Sequence, residues 1–402
     1  MTEAWMRVRV SGPLLPTVRG FAEELARQGY ALASLPDQVR LLGDLSRWLA
    51  TAGVDPGDLT ADRVEAFLQA RQAGYAHLVS RRALGPLLGY LRALGVVPEP
   101  VVPVACAPRE QLLDAYCRYL VRERGLVGGS VRLYARVARL FLSERSGSLQ
   151  LDLQRLGAAE VTAFVLRACR QRSGAAAKTL VTALRSLLHF LFLEGWLATE
   201  LAPAVPAVAG WRMSSLPRML DASVVAGLLA SCDRARAVGR RDFAILTVLS
   251  RLGLRGQEVA DLALEDVDWR AGELLIHGKG RQQDRLPLPA DVGEALADYL
   301  QRGRPQCACR RLFVSARAPR AALSAAGIRS LVRDACARAG LPRVGAHRLR
   351  HTVATDLLRH GAPLWEVAQV LRHRSLLTTA IYAKVDRTAL AALARPWPGG
   401  EA

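Results

Sequence analysis

Six side chains in the last third of a 402-residue chain have the types and spacing of a reactive site: Arg255, Lys279, His347, Arg350, His373 and Tyr382. Arg255 lies in Leu254-Arg255-Gly256-Gln257-Glu258, and Lys279 in Gly278-Lys279-Gly280. His347 and Arg350 share the run His347-Arg348-Leu349-Arg350-His351. His373 follows Leu371-Arg372, and Tyr382 comes nine residues later. An arginine fork binds two anionic oxygens at once, imidazole and ammonium groups move protons, and a phenol can serve as a nucleophile. Such a set can attack a phosphodiester without a metal.

His347, Arg350 and His351 stand at i, i+3 and i+4, so a helix would project all three from one face. An arginine and two histidines stacked this way are costly unless they meet an anion, and phosphate suits them. The i, i+4 histidines also have the spacing of a zinc pair. No glutamate stands at the second position, however, and no third ligand is evident. Cys307-Ala308-Cys309 likewise lacks a second ligand pair. His351 reads as a structural neighbour of the reactive set rather than a participant.

The chain carries 55 Lys+Arg against 36 Asp+Glu, a net charge of +19, which points to an anionic partner, nucleic acid before membrane. The charge is uneven: +1 over residues 1–105, +7 over 106–214 and +11 over 215–402. A DNA grip therefore belongs mainly to the last two thirds, leaving recognition or assembly to the first. Only Lys178, Lys279 and Lys384 are lysines. Where arginine is the default cation, a lysine at 279 suggests a proton that can be given up. Seven scattered cysteines make no disulfide framework and fit a reducing cytoplasm. The longest near-apolar run, Ser186 to Leu193, is closed by Arg185 and Glu194, so no membrane span is expected.

The elements that must position the site are mostly helical. Periodicity predicts helices at Val18–Gln28, Pro36–Ala52, Ala61–Arg71 and Ser80–Leu94, then a proline-rich stretch from Val96 to Pro108. A second series follows at Glu110–Glu123, Ser130–Ser143, Ala158–Arg172 and Ala175–Glu194. Leu59, Val64, Ala66 and Phe67 recur as Leu156, Val161, Ala163 and Phe164. Leu87, Leu88, Leu91 and Gly95 recur as Leu187, Leu188, Leu191 and Gly195, the pattern of a duplicated small helical domain. After a loose stretch, Pro203 to Pro217, come helices Ala222–Ala230 and Arg241–Arg251 and a short helix ending near Leu262. Strands Leu274–His277 and Arg285–Leu288 flank the turn holding Lys279. The remaining helices are Ser324–Ala339, His347–His360 and Trp365–Leu371.

In this order and spacing the motifs resemble the tyrosine recombinase (phage integrase) family. The matching runs are Gly253-Leu254-Arg255-x-x-Glu258, Gly278-Lys279-Gly280 and His347-x-Leu349-Arg350-His351-Thr352. The last is Leu371-x-His373-x-Ser375-x-x-Thr378-Thr379-x-x-Tyr382. The resemblance covers roughly residues 216–390 and, less sharply, 109–205. It departs from the family at Arg372, where a glycine is usual, and in about 105 extra residues at the front.

The fold it implies is mainly α with a small β-hairpin or sheet in the catalytic domain. The expected parts are an extra N-terminal helical domain (1–97), a proline-rich linker (98–108), a SAM-like helical core-binding domain that clamps DNA (109–202), a linker (203–217), a catalytic domain (218–390) and a tail (391–402). The implied chemistry is attack by Tyr382 on a scissile phosphate, giving a 3′-phosphotyrosyl bond and a free 5′-hydroxyl. Arg255 and Arg350 would clamp the phosphate, Lys279 would protonate the leaving oxygen and His347 would assist the phenol proton. His373 would bond the phosphate, and Glu258 would orient Arg255. No cofactor, metal or ATP is implied. The implied partners are double-stranded DNA with specific recombination sites, a synaptic tetramer of this chain on DNA, and partner recombinases. A mobile element undergoing integration or transposition is the expected setting. The alternatives are a type IB-like DNA topoisomerase and a non-catalytic DNA-binding accessory protein.

Overall fold

The structure is a computed structural model that describes residues 4–99, 108–144, 153, 156–209, 219–278, 282–373, 379 and 381–382. The expected linkers at 98–108 and 203–217 lie partly outside those residues, as the tail at 391–402 does wholly. The chain divides into two compact units. One comprises Met1–Pro100 with Ser215–Ala402, and the other Val101–Ser214.

The front of the first unit is a bundle of α1 (Val18–Arg27), α2 (Leu35–Ala52), α3 (Ala61–Gln72) and α4 (Arg81–Ala93). Side-chain oxygens of Thr60 and Ser80 accept from the Arg63 and Ala83 N–H groups and start α3 and α4. Phe21, Leu25, Leu42, Phe67, Leu87 and Leu91 fill the core. The buried Arg71 guanidinium is neutralised by Asp44 and lies 4.1 Å from the Tyr75 ring centroid. A main-chain bond from the Arg320 N–H to the Gln28 carbonyl (3.1 Å) ties this bundle to the later part of the same unit.

The second unit packs α5 (Pro108–Arg122), α6 (Gly128–Ser143), α7 (Ala158–Cys169) and α8 (Gly174–Leu193). By length and composition α8 passes as a membrane span despite Lys178 and Arg185. Its Leu180, Leu184, Leu187, Leu188 and Leu191 are nevertheless buried in this unit's own core. Internally the two bundles match closely at the recurring positions. Leu59, Val64 and Phe67 are buried, as are Leu156, Val161 and Phe164. The chain also leaves α4 and α8 by one turn geometry: Gly95 has φ 70° and Gly195 φ 72°. The next N–H reaches back to the Leu91 carbonyl (2.9 Å) in the first bundle and to Leu191 (2.8 Å) in the second. Ala66 is exposed and Ala163 half-buried, so that pair does not share a core role.

The later part of the first unit is built on α10 (Ala237–Leu252), which buries Ala244, Ile245, Val248 and Leu249 completely. Around it lie α9 (Ala222–Ala230), α11 (Gly256–Asp261), α12 (Ala290–Arg302), α13 (Ala325–Arg338), α14 (Ala346–Arg359) and α15 (Leu364–Val370). A three-stranded antiparallel sheet runs β1 (Val267–Asp268), β2 (Glu273–His277), β3 (Gln283–Pro287), with His277 opposite Gln283. The fold is thus mainly helical with one small sheet, as the sequence implied.

The departures are local. α10 begins four residues before the expected Arg241, and β3 opens at Gln283 rather than Arg285. Neither β1 nor α12 was expected. α12 hides a full amphipathic stripe (Val292, Ala295, Leu296 and Tyr299 at i, i+3, i+4 and i+7) inside a segment diluted by Gly, Ala and Asp.

Candidate active site

The site assembles where the ends of α10 and α15 meet the face of α14. α10 stops at Gly253, whose φ of 59° puts it in the left-handed region that glycine adopts without strain. A Cβ there would stand 3.1 Å from Leu371 Cδ2 and 3.5 Å from Val353, so glycine also permits the close approach of α14 and the end of α15. The chain re-enters a helix at once, with Arg255 as N-cap of α11. Its N–H donates to Glu258 Oε2 (2.8 Å), and its guanidinium donates to Glu258 Oε1 (2.6 Å). Arg255 is partly exposed while Glu258 is buried, so the carboxylate holds the base of a guanidinium whose far side is open.

Among the described residues Arg350 is the largest fully buried side chain, at 1% exposure. Its Nη1 donates to the Gly253 carbonyl (2.7 Å) and its Nη2 to the Leu371 carbonyl. One guanidinium therefore staples the two helix ends together while keeping further N–H donors. Burial and the neighbouring Arg255 cation lower its pKa to about 10, which still leaves it charged at neutral pH.

Arg372, the departure from the family pattern, has φ 51° and occupies the turn after α15 that glycine would normally take. Its Nη2 donates to Glu258 Oε2 (2.7 Å) with both side chains almost wholly buried. Burial alone would raise the Glu258 carboxyl, but Arg372 and the Arg255 hydrogen bonds outweigh it and hold the group below the usual carboxylate range. Glu258 thus sits between two arginines, and Arg372 braces it from behind. The sequence marked Arg372 as a departure without showing this contact, which links residues 114 positions apart.

Tyr382 is 2% exposed and packs with Ala354, Leu358, Val367 and Leu371. Its hydroxyl is 2.7 Å from His351 Nδ1. His347 is one ring further along the face of α14, with its centroid 4.5 Å from that of His351. The His373 ring lies nearly parallel to the phenol, 5° between planes and 6.4 Å between centroids, and its Nδ1 is 2.8 Å from Thr379 Oγ1. Burial, with Arg350 and other cations, depresses His373 to about 4; burial, then His347 and Arg350, does the same to His351. Desolvation followed by Arg350 and Arg255 lowers His347 as well, and burial raises the Tyr382 phenol. At neutral pH the protein alone therefore presents neutral imidazoles, an un-ionised phenol and three arginines (Arg255, Arg350 and Arg372) against the one Glu258 carboxylate, an excess of positive charge that suits an anion.

Lys279 lies outside the described residues, between Gly278 and Gln282, whose N–H···O bond (2.8 Å) closes the hairpin stem. The stem itself faces the site. A cleft of about 500 Å³ is lined by Arg255, Glu258, His277, Gly278, Gln282 and His373. His277 is anchored there by buried Asp266 (2.8 Å). Among the described residues no cluster of three or more His, Cys, Asp or Glu has metal-binding geometry. The structure thus brings together five of the six expected residues, with Glu258, and adds His351 and Arg372.

A buried phenol beside two arginines and a row of imidazoles is equipment for phosphoryl transfer through a tyrosyl intermediate. Residues 218–388 match the model of the phage integrase family. The Sinorhizobium fredii protein named "Putative integrase/recombinase y4rA" is 42% identical over 393 residues, covering 96% of this chain and 95% of that protein. Tyrosine recombinase XerD of Mycobacterium tuberculosis is 33% identical, covering 71% of this chain and 96% of XerD. Among solved structures, the XerH site-specific recombinase in its post-cleavage complex with difH substrate superposes with a TM-score of 0.57 at 21% identity, over 82% of this chain and 93% of that one. The Tn1549 transposon integrase in complex with circular intermediate DNA gives 0.52 at 16%, over 71% and 99%. The chain belongs to the phage integrase family: it is a tyrosine recombinase.

Proposed function

We propose that this tyrosine recombinase carries out site-specific strand exchange on double-stranded DNA, serving the integration or transposition of a mobile element in the cytoplasm. The observation that carries the reading is the buried Tyr382 phenol, hydrogen-bonded to a histidine on the α14 face that also presents Arg350. Tyr382 attacks the scissile phosphate, and Arg255 and Arg350 hold the non-bridging oxygens as charge grows on them. His373 donates to the same phosphate. Lys279 gives the departing 5′-oxygen its proton, and the phenol proton leaves through the histidine pair His347 and His351. Glu258 and Arg372 position Arg255. The covalent bond conserves the phosphodiester energy, so the cycle consumes no ATP and uses no metal.

The distribution of positive charge supports a DNA grip by residues 106–402, which carry all but one of the net charges. The matched cores and the common exit turn of the two bundles support an N-terminal domain (1–97) that is a second copy of the core-binding domain (109–202), used for recognition or assembly. A λ integrase tetramer bound to a Holliday junction shares the fold (TM-score 0.51, 16% identity). Four copies of this chain, or this chain with partner recombinases, would synapse two sites in the same way.

The test is a plasmid carrying two copies of a site that the protein itself selects from a random duplex pool. With EDTA and without ATP, strand exchange between the copies is expected. Relaxation of supercoils without exchange would favour the topoisomerase alternative, and binding with neither would favour an accessory protein.

A further inference from the structure

Residues 1–105 carry a net charge of only +1, yet their charges are sorted rather than mixed. A hollow of about 440 Å³ in the front bundle is lined by Arg7, Arg9, Arg40 and Arg47, with Asp44 and the exposed Tyr75 ring. Asp44 is already engaged, because its carboxylate meets both Arg47 and the buried Arg71. Arg40 shares the flanking Asp37 (2.6 Å), whereas Arg7 and Arg9 make no ion pair among the described residues.

The loop from α2 into α3 has the opposite sign. Residues 55–65 hold Asp55, Asp58, Asp62 and Glu65 against Arg63 alone. The Asp58 side chain is 69% exposed and its Arg63 partner stands off at 3.6 Å. Among the described residues no ion pair joins this loop to the hollow. Arg71, which reaches Asp44 at the hollow, and Asp62 lie at opposite ends of α3, about 13 Å apart at the rise of an α-helix.

The rest of the unit leaves both patches open. α1 and α4 face Ala318 and Pro319 across a groove, beside the main-chain bond from Arg320 to Gln28. That side of the bundle is taken. The four lining arginines, and Asp55, Asp58 and Asp62, stay exposed in the full chain.

The geometry points to a second copy of this chain as the occupant, with the acidic α2–α3 loop of one copy seated in the arginine-lined hollow of the next. This rests on the assembly on DNA proposed above and deepens it. The charge balance favours a second copy over DNA. A domain that tracked phosphates would be net basic, as residues 106–402 are, whereas sorted and balanced charges complement themselves. The two patches differ, so the contact is head-to-tail, the kind that closes a ring when its rotation fits the number of copies. Each copy gives its loop to one neighbour and receives a loop from the other. The Arg320–Gln28 bond ties each bundle to its own catalytic part, so joining the bundles also gathers those parts.

The test is capture of one duplex by another, each bearing the self-selected site and each saturated with the full chain. Arg7→Glu/Arg9→Glu/Arg40→Glu sets like charges against the loop, and Asp58→Arg/Asp62→Arg sets them against the hollow. Each variant alone should lose capture by about tenfold or more while binding a single duplex as wild type does. Mixed in equal amounts the two should recover capture, because in an alternating ring of four every junction again joins opposite signs. One chain carrying all five changes should recover it too. The neutral sets Arg7→Gln/Arg9→Gln/Arg40→Gln and Asp58→Asn/Asp62→Asn should fall part-way. If the hollow grips DNA instead, the arginine variant loses affinity for a single duplex, the aspartate variant does not, and mixing restores nothing. That outcome overturns the proposal, as does undiminished capture by both charge-reversed variants. If wild type itself captures no second duplex, it is the proposed assembly on DNA that fails, and this inference with it.

Discussion

Replacing Arg372 by glycine restores the residue usual at that position and so separates two effects that the structure sets against each other. At φ 51° an L side chain costs about 1–2 kcal/mol that glycine does not. Against this stands an ion pair with Glu258 in which the two side chains are 6% and 5% exposed, too buried to be treated as a weak surface bridge. Removing one partner of a buried pair costs about 3–5 kcal/mol, and the lower end applies because Glu258 keeps both bonds from Arg255. The net for Arg372→Gly is a destabilisation of about 2 kcal/mol. Arg372→Ala loses the pair and keeps the strained backbone, so it should fall about 1 kcal/mol further. Urea titration, with urea-dependent fluorescence of the full chain, measures the order wild type, Gly, Ala. In both variants the Arg255 guanidinium loses its rear support, so cleavage should slow more than DNA affinity falls. A glycine variant as stable as wild type, or more so, would refute the brace and leave Arg372 as an ordinary turn residue.

Three further outcomes are expected. Gly253→Ala forces a left-handed alanine against Leu371 and shifts a carbonyl that Arg350 holds. It should cost about 2 kcal/mol and lower cleavage, as checked by melting and single-turnover assays. His351 and His373 titrate near 4 in the folded chain against about 6.5 when unfolded. Unfolding therefore takes up protons between those values, so stability should be level above pH 6.5 and decline as pH falls towards 4. Melting temperatures across that window should flatten when both are replaced by Gln. Lys279→Arg keeps the charge but not the labile proton, so cleavage should fall sharply. A 5′-bridging phosphorothiolate, whose sulfur leaves without protonation, should recover much of that loss in a matched rate comparison.

The parts of this protein legible from sequence are those whose signal is local. α14 announces itself because His347, Arg350 and His351 fall on one helical face. The β2–β3 hairpin does so because two short strand-like runs flank a polar, glycine-containing segment. The two bundles could be paired because core leucines and an exit glycine recur at similar intervals, and burial and φ then agree at most of those positions. What escaped is either diluted or long-range. α12 carries its four core residues among alanines and aspartates, so its average looks like loop. The Arg372–Glu258 brace and the Tyr382–His351 bond join residues far apart in the chain, and no local pattern encodes which histidine meets the phenol. The sequence named the candidate set, whereas the contact between the Tyr382 hydroxyl and His351 needed the packing of Tyr382 against α14.

The most direct measurement is covalent trapping on a nicked duplex built on the self-selected site, in EDTA, with peptide mapping of the adduct. Cleavage releases the short strand beyond the nick and leaves the protein joined to the 3′ end. Wild type should yield one modified peptide, with the phosphate on Tyr382. Tyr382→Phe should bind the duplex almost as tightly and yield none. An adduct on another residue, an adduct formed by the Phe variant, or trapping abolished by EDTA would contradict a metal-free reaction carried by Tyr382.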